Sequence, residues 1–332
     1  MAWPHLANEW LADLEPARAE VRELCLAIAD PDPRTGARRG ETVRVLVPDE
    51  ECERAAYHAL VGTPVAFHRV PFGDIWLRDI APIFVSDGRG KVAATAFAFN
   101  GWGGKYLFDD DPLVARRIAD ITGLQRFDFP WVLEGGAIDV DGEGTCLTTR
   151  QCMLNPNRNP HMDQDAIEAG LRAALGADRV LWLDEGLEND HTDGHVDTIA
   201  RFVAPGVVVC LEARDGDDPN ARVLGAIAGT LEGMKDAAGR KLEVVRIPSP
   251  GRVTDTTGRV MPASYANFYI GNRVVAVPTY GSRWDAEAVE RIGALFPGRQ
   301  AVGLSSRAIL TGGGALHCIT QQQPIGQDPG ES

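Results

Sequence analysis

The sequence predicts an α/β fold assembled from five short αβ units around a common axis, and three observations point there. Five segments share one layout of polar residues, an apolar strand, a turn and often a second strand. They begin at Trp76, Glu134, Gly194, Ser264 and Gly312. With Asp79, Glu134, His195, Asn267 and Gly314 as anchors, successive spacings are 55, 61, 72 and 47 residues, against about 66 for an even five-way division of the 332 residues. Each unit also holds a helix-like stretch, and its neighbours would have to cover an apolar face it cannot bury alone. Hairpins that start with polar residues are common, so the layout also fits an α/β protein with no such symmetry.

Individual elements follow from periodicity. Residues 12–29 place Val21, Leu24, Cys25 and Ile28 on one helical face, and 164–175 and 285–296 read as amphipathic helices that stop at Gly or Pro. Val43–Val47, 206–211, Val244–Ile247 and Val274–Val277 are β-branched runs that read as strands. The 36 Gly and 21 Pro mark many turns, with clear loops at 30–40, 155–160 and 215–220 and a polar tail after Pro324. None of these loops is long enough to link two domains, so one domain over 1–332 is expected, with an ordered core over roughly 2–324.

Composition narrows the function. Lys and Arg number 33 against 47 Asp and Glu, a net charge of −14. That disfavours nucleic acid as a partner and favours a small cationic molecule, whose local concentration an acidic field raises. With 44% apolar residues the chain can bury a core, and no run reaches the roughly 18 apolar residues of a membrane span. Residues 1–10 carry His5 and Glu9 and lack a basic stretch leading into an apolar one, so a cytoplasmic location is expected. The six cysteines are scattered without a CxxC pair, as expected of buried thiols in a reducing compartment.

Chemistry concentrates in a few places. Gly312, Gly313 and Gly314 allow close backbone approach to a ligand, and Cys318 follows within reach. A reactive thiol needs a cationic or hydrogen-bonding neighbour. His317 is adjacent, but strand alternation would turn it to the other face. In Gly194–Asp197, read as a strand, His195 and Asp197 share a face, and nearby Glu188, Asp190 and Asp193 would keep the imidazole protonated, as suits a general acid. Asp79 and Glu134 open two further units. The 100–105 stretch, Asn-Gly-Trp-Gly-Gly-Lys, lacks the Walker spacing, and the Gly between His191 and His195 speaks against a zinc-binding helix. One thiol, one histidine and several carboxylates, with no metal or cofactor signature, suit a planar cationic electrophile: carboxylates bind a guanidinium, the thiolate attacks its carbon and the histidine protonates departing ammonia.

The motifs also resemble a known family. DIWLRDIAPIFV from Asp74, FNGWGGKY from Phe99, LEGGAIDVDGEGTCLTT from Leu133, NPNRNP from Asn155, TDGHVD from Thr192, PASYANFYIGNRVVAVPTYG from Pro262 and GGGALHCITQQQP from Gly312, with AWP at Ala2, are similar to those of the agmatine deiminases and the related bacterial peptidylarginine deiminase-like proteins of the pentein superfamily. The similarity runs in order from residue 2 to about 324. It implies a five-bladed α/β propeller and hydrolysis of a guanidinium to a ureido group and ammonia without metal or cofactor. It implies Cys318 as nucleophile, His195 as general acid and later base, Asp79 and Asp197 as guanidinium ligands, and Glu134 as the residue orienting His195. Glycines 312–314 would wall the nucleophile, Trp76 and Trp102 would pack on the substrate chain or fill core, and Asp193 would meet the far amine of agmatine. A homo-oligomer, dimer or tetramer, is expected.

Three departures from the family pattern sit beside these positions: His191 stands where an acid is usual, Ala315 where Asn is usual, and Ile80–Ala81 where Thr or Ser and Gly are usual. His191 would lower affinity for a second positive charge. Deimination of free arginine or of peptidyl-arginine, and a non-catalytic binding protein, are the competing expectations.

Overall fold

The computed structural model describes residues 1–326. Its strands are β1 (Val43–Val47), β2 (Val65–Arg69), β3 (Ile83–Ser86), β4 (Val92–Ala98), β5 (Gln125–Val132), β6 (Ile138–Val140), β7 (Thr145–Thr149), β8 (Arg179–Leu183), β9 (Ala200–Ala204), β10 (Val207–Glu212), β11 (Glu243–Pro248), β12 (Tyr269–Ile270), β13 (Val274–Thr279) and β14 (Gln300–Ser305). They form five separate sheets, four of them three-stranded: β3-β4-β5, β6-β7-β8, β9-β10-β11 and β12-β13-β14. In each, the first two strands are an antiparallel hairpin and the third lies parallel to the second. A parallel partner needs a crossover. The helices Asp111–Thr122, Gln164–Leu175, Ala221–Gly233 and Asp285–Ala294 supply one to each sheet.

Local signals set these boundaries. Asp163 accepts a hydrogen bond from the Ala166 amide at the start of Gln164–Leu175, and Gly176 ends that helix at φ 70°. The N-terminal helix Leu14–Ala29 buries Val21, Leu24, Cys25 and Ile28, the face anticipated from spacing. It packs against the C-terminal helix Arg307–Thr311 and β14, so the two ends of the chain meet. All six cysteines are free and buried. Among the described residues, no helix is long and apolar enough to cross a membrane.

The fifth unit departs from expectation. No strand follows Gly312 among the described residues; residues 316–319 form a turn. The fifth sheet comes instead from the N-terminal part: β1 and β2 pair in parallel across the helix Glu50–Ala59, and Ala2 bridges Leu46 on the other edge of β1. Residues 321–326 and β1 touch through Arg44 and Gln323, 3.5 Å apart. The glycine-rich motif is followed by no strand of its own, and the segment after it touches β1, which periodicity within a segment cannot report. The tail beyond Gly326 lies outside the described residues.

Candidate active site

In four of the units, the stretch just before the first strand is a short turn rather than more strand. Leu77–Ile80 is one helical turn, Gly135–Ala137 and Val196–Thr198 are 3-10 turns, and residues 265–267 form a turn. This corrects the strand reading of Gly194–Asp197: His195 caps a 3-10 turn, with φ −56°. Each turn delivers a polar side chain to one buried cluster.

Gly136 is the hub. Its amide donates to Asp79 Oδ1 at 2.9 Å. A methyl group there would lie 2.6 Å from His195 Nδ1, 2.9 Å from Asp79 Oδ1 and 3.1 Å from Asp197 Oδ2. Imidazole and two carboxylates therefore converge on a position only glycine can occupy. Asp79 Oδ2 accepts the indole N–H of Trp102 at 2.9 Å. Trp102 sits at φ 52°, between Gly101 and Gly103, also at positive φ. That costly backbone aims the indole inward, and it gives the Asn-Gly-Trp-Gly-Gly stretch a purpose unrelated to phosphate.

His195 Nε2 lies 3.2 Å from Glu134 Oε2, and Nδ1 lies 3.8 Å from Asp79 Oδ1. Burial alone would lower the pKa of His195, but Asp79, Cys152 and Glu134 outweigh it and hold the imidazole well above its ordinary range. Glu134 is fully buried, and Arg158 Nε donates to both of its oxygens at 2.7 and 3.1 Å. Burial opposes its charge, but His195 and Arg158 keep the carboxylate below its ordinary pKa.

Cys318 is reached from the other side. Asn267 Nδ2 donates to its sulfur at 3.2 Å, and Asn267 Oδ1 accepts the backbone N–H groups of His317 and Cys318 at 3.0 and 3.3 Å. Asp197 Oδ2 lies 3.7 Å from the sulfur and accepts from His317 Nδ1 at 2.7 Å. Asp197 Oδ1 is buried and has no hydrogen-bond partner. His317 thus belongs to the cluster, against the alternation argument, because Cys318 lies in a turn and not on a strand. Burial, then Arg201 and Arg78, push His317 well below its ordinary pKa. Burial raises Asp197 to about 7. Burial, then Asp197 and Asp79, drive the Cys318 thiol well upward, so it carries its proton.

Asp79, Trp102 and Cys318 of this cluster line a cavity of about 220 Å³, together with Glu9, Trp10, Asp74, Trp76, Tyr106, Phe108, His191, Thr192, Thr311 and the three glycines. Gly312 and Gly314 let the Trp76 ring lie on the backbone: a Cβ would sit 2.6 and 2.5 Å from it, and one on Gly314 also 3.1 Å from the Cys318 sulfur. Gly313, at φ 101°, faces His191, whose Nδ1 lies 3.1 Å from the Tyr106 hydroxyl. Asp193 is placed differently from the expectation. Its carboxylate is bound by Lys105 Nζ at 2.5 Å, Arg158 Nη1 at 2.8 Å and Asn157 Nδ2 at 3.0 Å, and it does not line the cavity. Two cations already neutralise it, so it is no free anion for a ligand.

Sequence reasoning missed three residues here. Arg158 was legible only as part of NPNRNP, Asn267 served only as a repeat anchor, and His317 was set aside by its neighbour relation to Cys318. Glu134, Cys152 and His195 offer ligand atoms within 4.8 Å of one another, the spacing of a metal site. The guanidinium on both Glu134 oxygens already supplies the positive charge that a metal would bring there.

Comparison with known proteins agrees across the whole chain. The model of the Porphyromonas-type peptidyl-arginine deiminase family matches residues 1–324. An agmatine deiminase of Ectopseudomonas mendocina is 38% identical, covering 98% of this chain and 92% of its own. The structure of Enterococcus faecalis agmatine deiminase superposes with a TM-score of 0.89 at 32% identity, over 98% of this chain and 92% of that one. A Cys-to-Ser variant of C. jejuni agmatine deiminase with substrate bound gives 0.86 at 26% identity, over 98% and 93%. Over residues 1–324, then, this chain belongs to the Porphyromonas-type peptidyl-arginine deiminase family, alongside the agmatine deiminases.

Proposed function

We propose that this protein hydrolyses the guanidinium of agmatine to N-carbamoylputrescine and ammonia through a covalent adduct on Cys318. One observation carries the reading: the buried carboxylates Asp79 and Asp197 converge with the His195 imidazole on Gly136, Asp79 and the Cys318 thiol line one cavity, Asp197 lies 3.7 Å from that sulfur, and its buried Oδ1 is an acceptor in want of a donor. A guanidinium supplies planar N–H donors and the positive charge that two neighbouring carboxylates need.

The mechanism follows from charge. Before substrate enters, Asp79 and Asp197 hold the proton on Cys318. A guanidinium between them offsets their field, and the thiol then releases its proton to water. The thiolate adds to the guanidinium carbon, forming a C–S bond. Protonated His195 passes its proton to one amino group, the C–N bond breaks and ammonia leaves an amidino-thioether cation. The now neutral His195 takes a proton from water as the oxygen adds to that carbon. Collapse expels the thiolate and yields the ureido product, and one proton departs with ammonia as ammonium. Glu134, held by Arg158, orients the imidazole throughout. Asn267 holds the sulfur from behind.

Agmatine is favoured over arginine because, among the described residues, no lysine or arginine lines the cavity to meet an α-carboxylate. Arg201 is committed to Asp139 at 2.7 Å, and Arg78 is buried on the His317 carbonyl and Gln322. Ammonia release from agmatine, arginine and a blocked arginine peptide tests the preference, and comparable turnover of all three overturns it. Cys318→Ala should abolish release while leaving the circular dichroism spectrum intact; retained turnover removes the thiol from the reaction.

We read the five ββαβ-type units, the fifth made from both chain ends, as the blades of a single propeller domain whose axis the turns surround. A homo-oligomeric enzyme of the cytoplasm goes with this reading; light scattering of the purified protein and cell fractionation test it.

A further inference from the structure

We propose that Arg78 is the positioning residue of the nucleophile: it ties the turn that carries Cys318 to the turn that carries Asp79, and its charge keeps Asp197 ionised beside the sulfur. The inference rests on the thiol reaction proposed above and adds a residue that acts from behind it.

Arg78 and Asp79 are neighbours on the single helical turn Leu77–Ile80, but only Asp79 lines the cavity. The Arg78 amide donates to the Cys318 carbonyl at 3.0 Å, and its Nε donates to the His317 carbonyl at 3.4 Å. Nη2 donates to Gln322 Oε1 at 2.7 Å. One residue thus holds two consecutive carbonyls of the nucleophile turn and a side chain shortly after it. Being covalently next to Asp79, it fixes the carboxylate that takes the guanidinium against the sulfur that attacks its carbon. Gly135 makes room for it: a Cβ there would lie 2.2 Å from the Arg78 carbonyl oxygen and 3.3 Å from its Cδ.

Its charge is placed differently from that of the other arginines buried here. Arg158 pairs with Glu134 and Arg201 with Asp139, each at 2.7 Å. Arg78 is only 6% exposed, yet among the described residues its guanidinium meets neutral oxygens and no carboxylate within ion-pair distance. Such a charge is costly to bury. Burial, then Arg201, brings its pKa down to about 10, and the groups that oppose this fall are Asp197, Asp79 and Cys318. The charge of Arg78 is therefore answered at longer range by the reacting groups themselves.

Asp197 is where that charge can be read. Its Oδ2 accepts from His317 and lies beside the Cys318 sulfur, and His195, Asp79, Arg201 and Arg78 are the charged groups around it. Burial raises its pKa to about 7 with help from Asp79, against His195, Arg201 and Arg78. Only the ionised carboxylate offers both oxygens to a guanidinium, so kcat/KM for agmatine should climb as pH rises through that value.

Two variants test the assignment. Arg78→Gln stays polar and loses the charge; Arg78→Lys keeps the charge and loses the planar fork. Both should lower kcat for ammonia release about tenfold or more with a smaller change in KM, because Asp79 is still held by Trp102 and Gly136. The acid limb of kcat/KM should move up by about half a pH unit or more in Arg78→Gln and stay in place in Arg78→Lys. A parent-like kcat in either variant, an unmoved limb in Arg78→Gln, or equal shifts in both overturns the assignment. If Arg78→Gln does not fold, Arg78→Lys decides alone: a lowered kcat at an unmoved limb upholds it, and any other pair of results overturns it. The Hε1 proton of His317, assigned by its loss in His317→Gln, follows the titration of Asp197 without turnover. Should the parent protein release no ammonia from agmatine, the reaction reading fails by itself, and an Asp197 midpoint that stays put in Arg78→Gln overturns the role of Arg78 separately.

Discussion

Two histidines on either side of the same carboxylate pair meet opposite electrostatic fates. His195 faces Asp79 and Glu134 and is driven well above the ordinary imidazole pKa; His317 donates to Asp197 yet is driven well below it by burial and by Arg201 and Arg78. Both are nearly inaccessible, at 1% and 4% exposure, so depth does not separate them. Neighbouring charge does. The imidazole that holds its proton is the one ringed by carboxylates, and the one flanked by guanidiniums is left as a neutral hydrogen-bond donor to Asp197, beside the Cys318 sulfur.

The sharpest way to break this comparison is to remove each imidazole. His195→Gln should cut kcat by about 10²–10⁴, the usual worth of a general acid–base group. His317→Gln, which can still donate to Asp197, should cost about tenfold or less. Equal losses in steady-state ammonia assays would mean that the two histidines share one role. Next in size is the support behind His195. Arg158→Met leaves buried Glu134 without its guanidinium and Asp193 with Lys105 alone, and should lower unfolding free energy by about 3–5 kcal/mol, read from urea denaturation. An unchanged urea midpoint would show that Glu134 is neutral without its guanidinium. Gly136→Ala forces a methyl group against His195 Nδ1 and both carboxylates and should reduce kcat/KM at least about tenfold, since sub-ångström displacement of reacting groups is costly. Retained activity would mean that the three groups do not act from the positions described.

The smallest effect is on stability against pH, where the two histidines oppose each other. Folded His195 holds its proton above the unfolded pKa, so its stabilising contribution is complete below about pH 6.5 and is lost as pH rises through the folded value. Folded His317 refuses a proton that the unfolded chain accepts, so its contribution is complete above about pH 6.5 and is lost as pH falls. Asp197, at about 7, binds protons more readily than when unfolded and favours lower pH between the ordinary value of 3.8 and that point, against His317. Urea midpoints from pH 5 to 9 should therefore flatten on the alkaline side in His195→Gln and on the acid side in His317→Gln. A flattening on the same side in both would invalidate the assignment.

Much of this site was written along the chain. The helix Gln164–Leu175 and strand Val43–Val47 follow the bounds that periodicity marks, because period and capping act within a few residues. Residue types told of a thiol, an imidazole and carboxylates beside glycines, and the family motifs tied them together. Three things only the tertiary structure decided. Asn267 became a partner of the sulfur, and His317 a partner of the Asp197 carboxylate beside it, because a turn, not a strand, carries Cys318. Asp193 was consumed by Lys105 and Arg158, which are distant in sequence, and it does not line the cavity. And the fifth sheet comes from Val43–Val47 and Val65–Arg69, bridged by Ala2, rather than from the residues after Gly312. Sequence determined which groups are present and how each short segment turns, since those depend on covalent neighbours; which of them are charged, paired or free was decided by contacts between segments dozens of residues apart, since a buried charge answers to whatever the fold sets within a few ångströms of it.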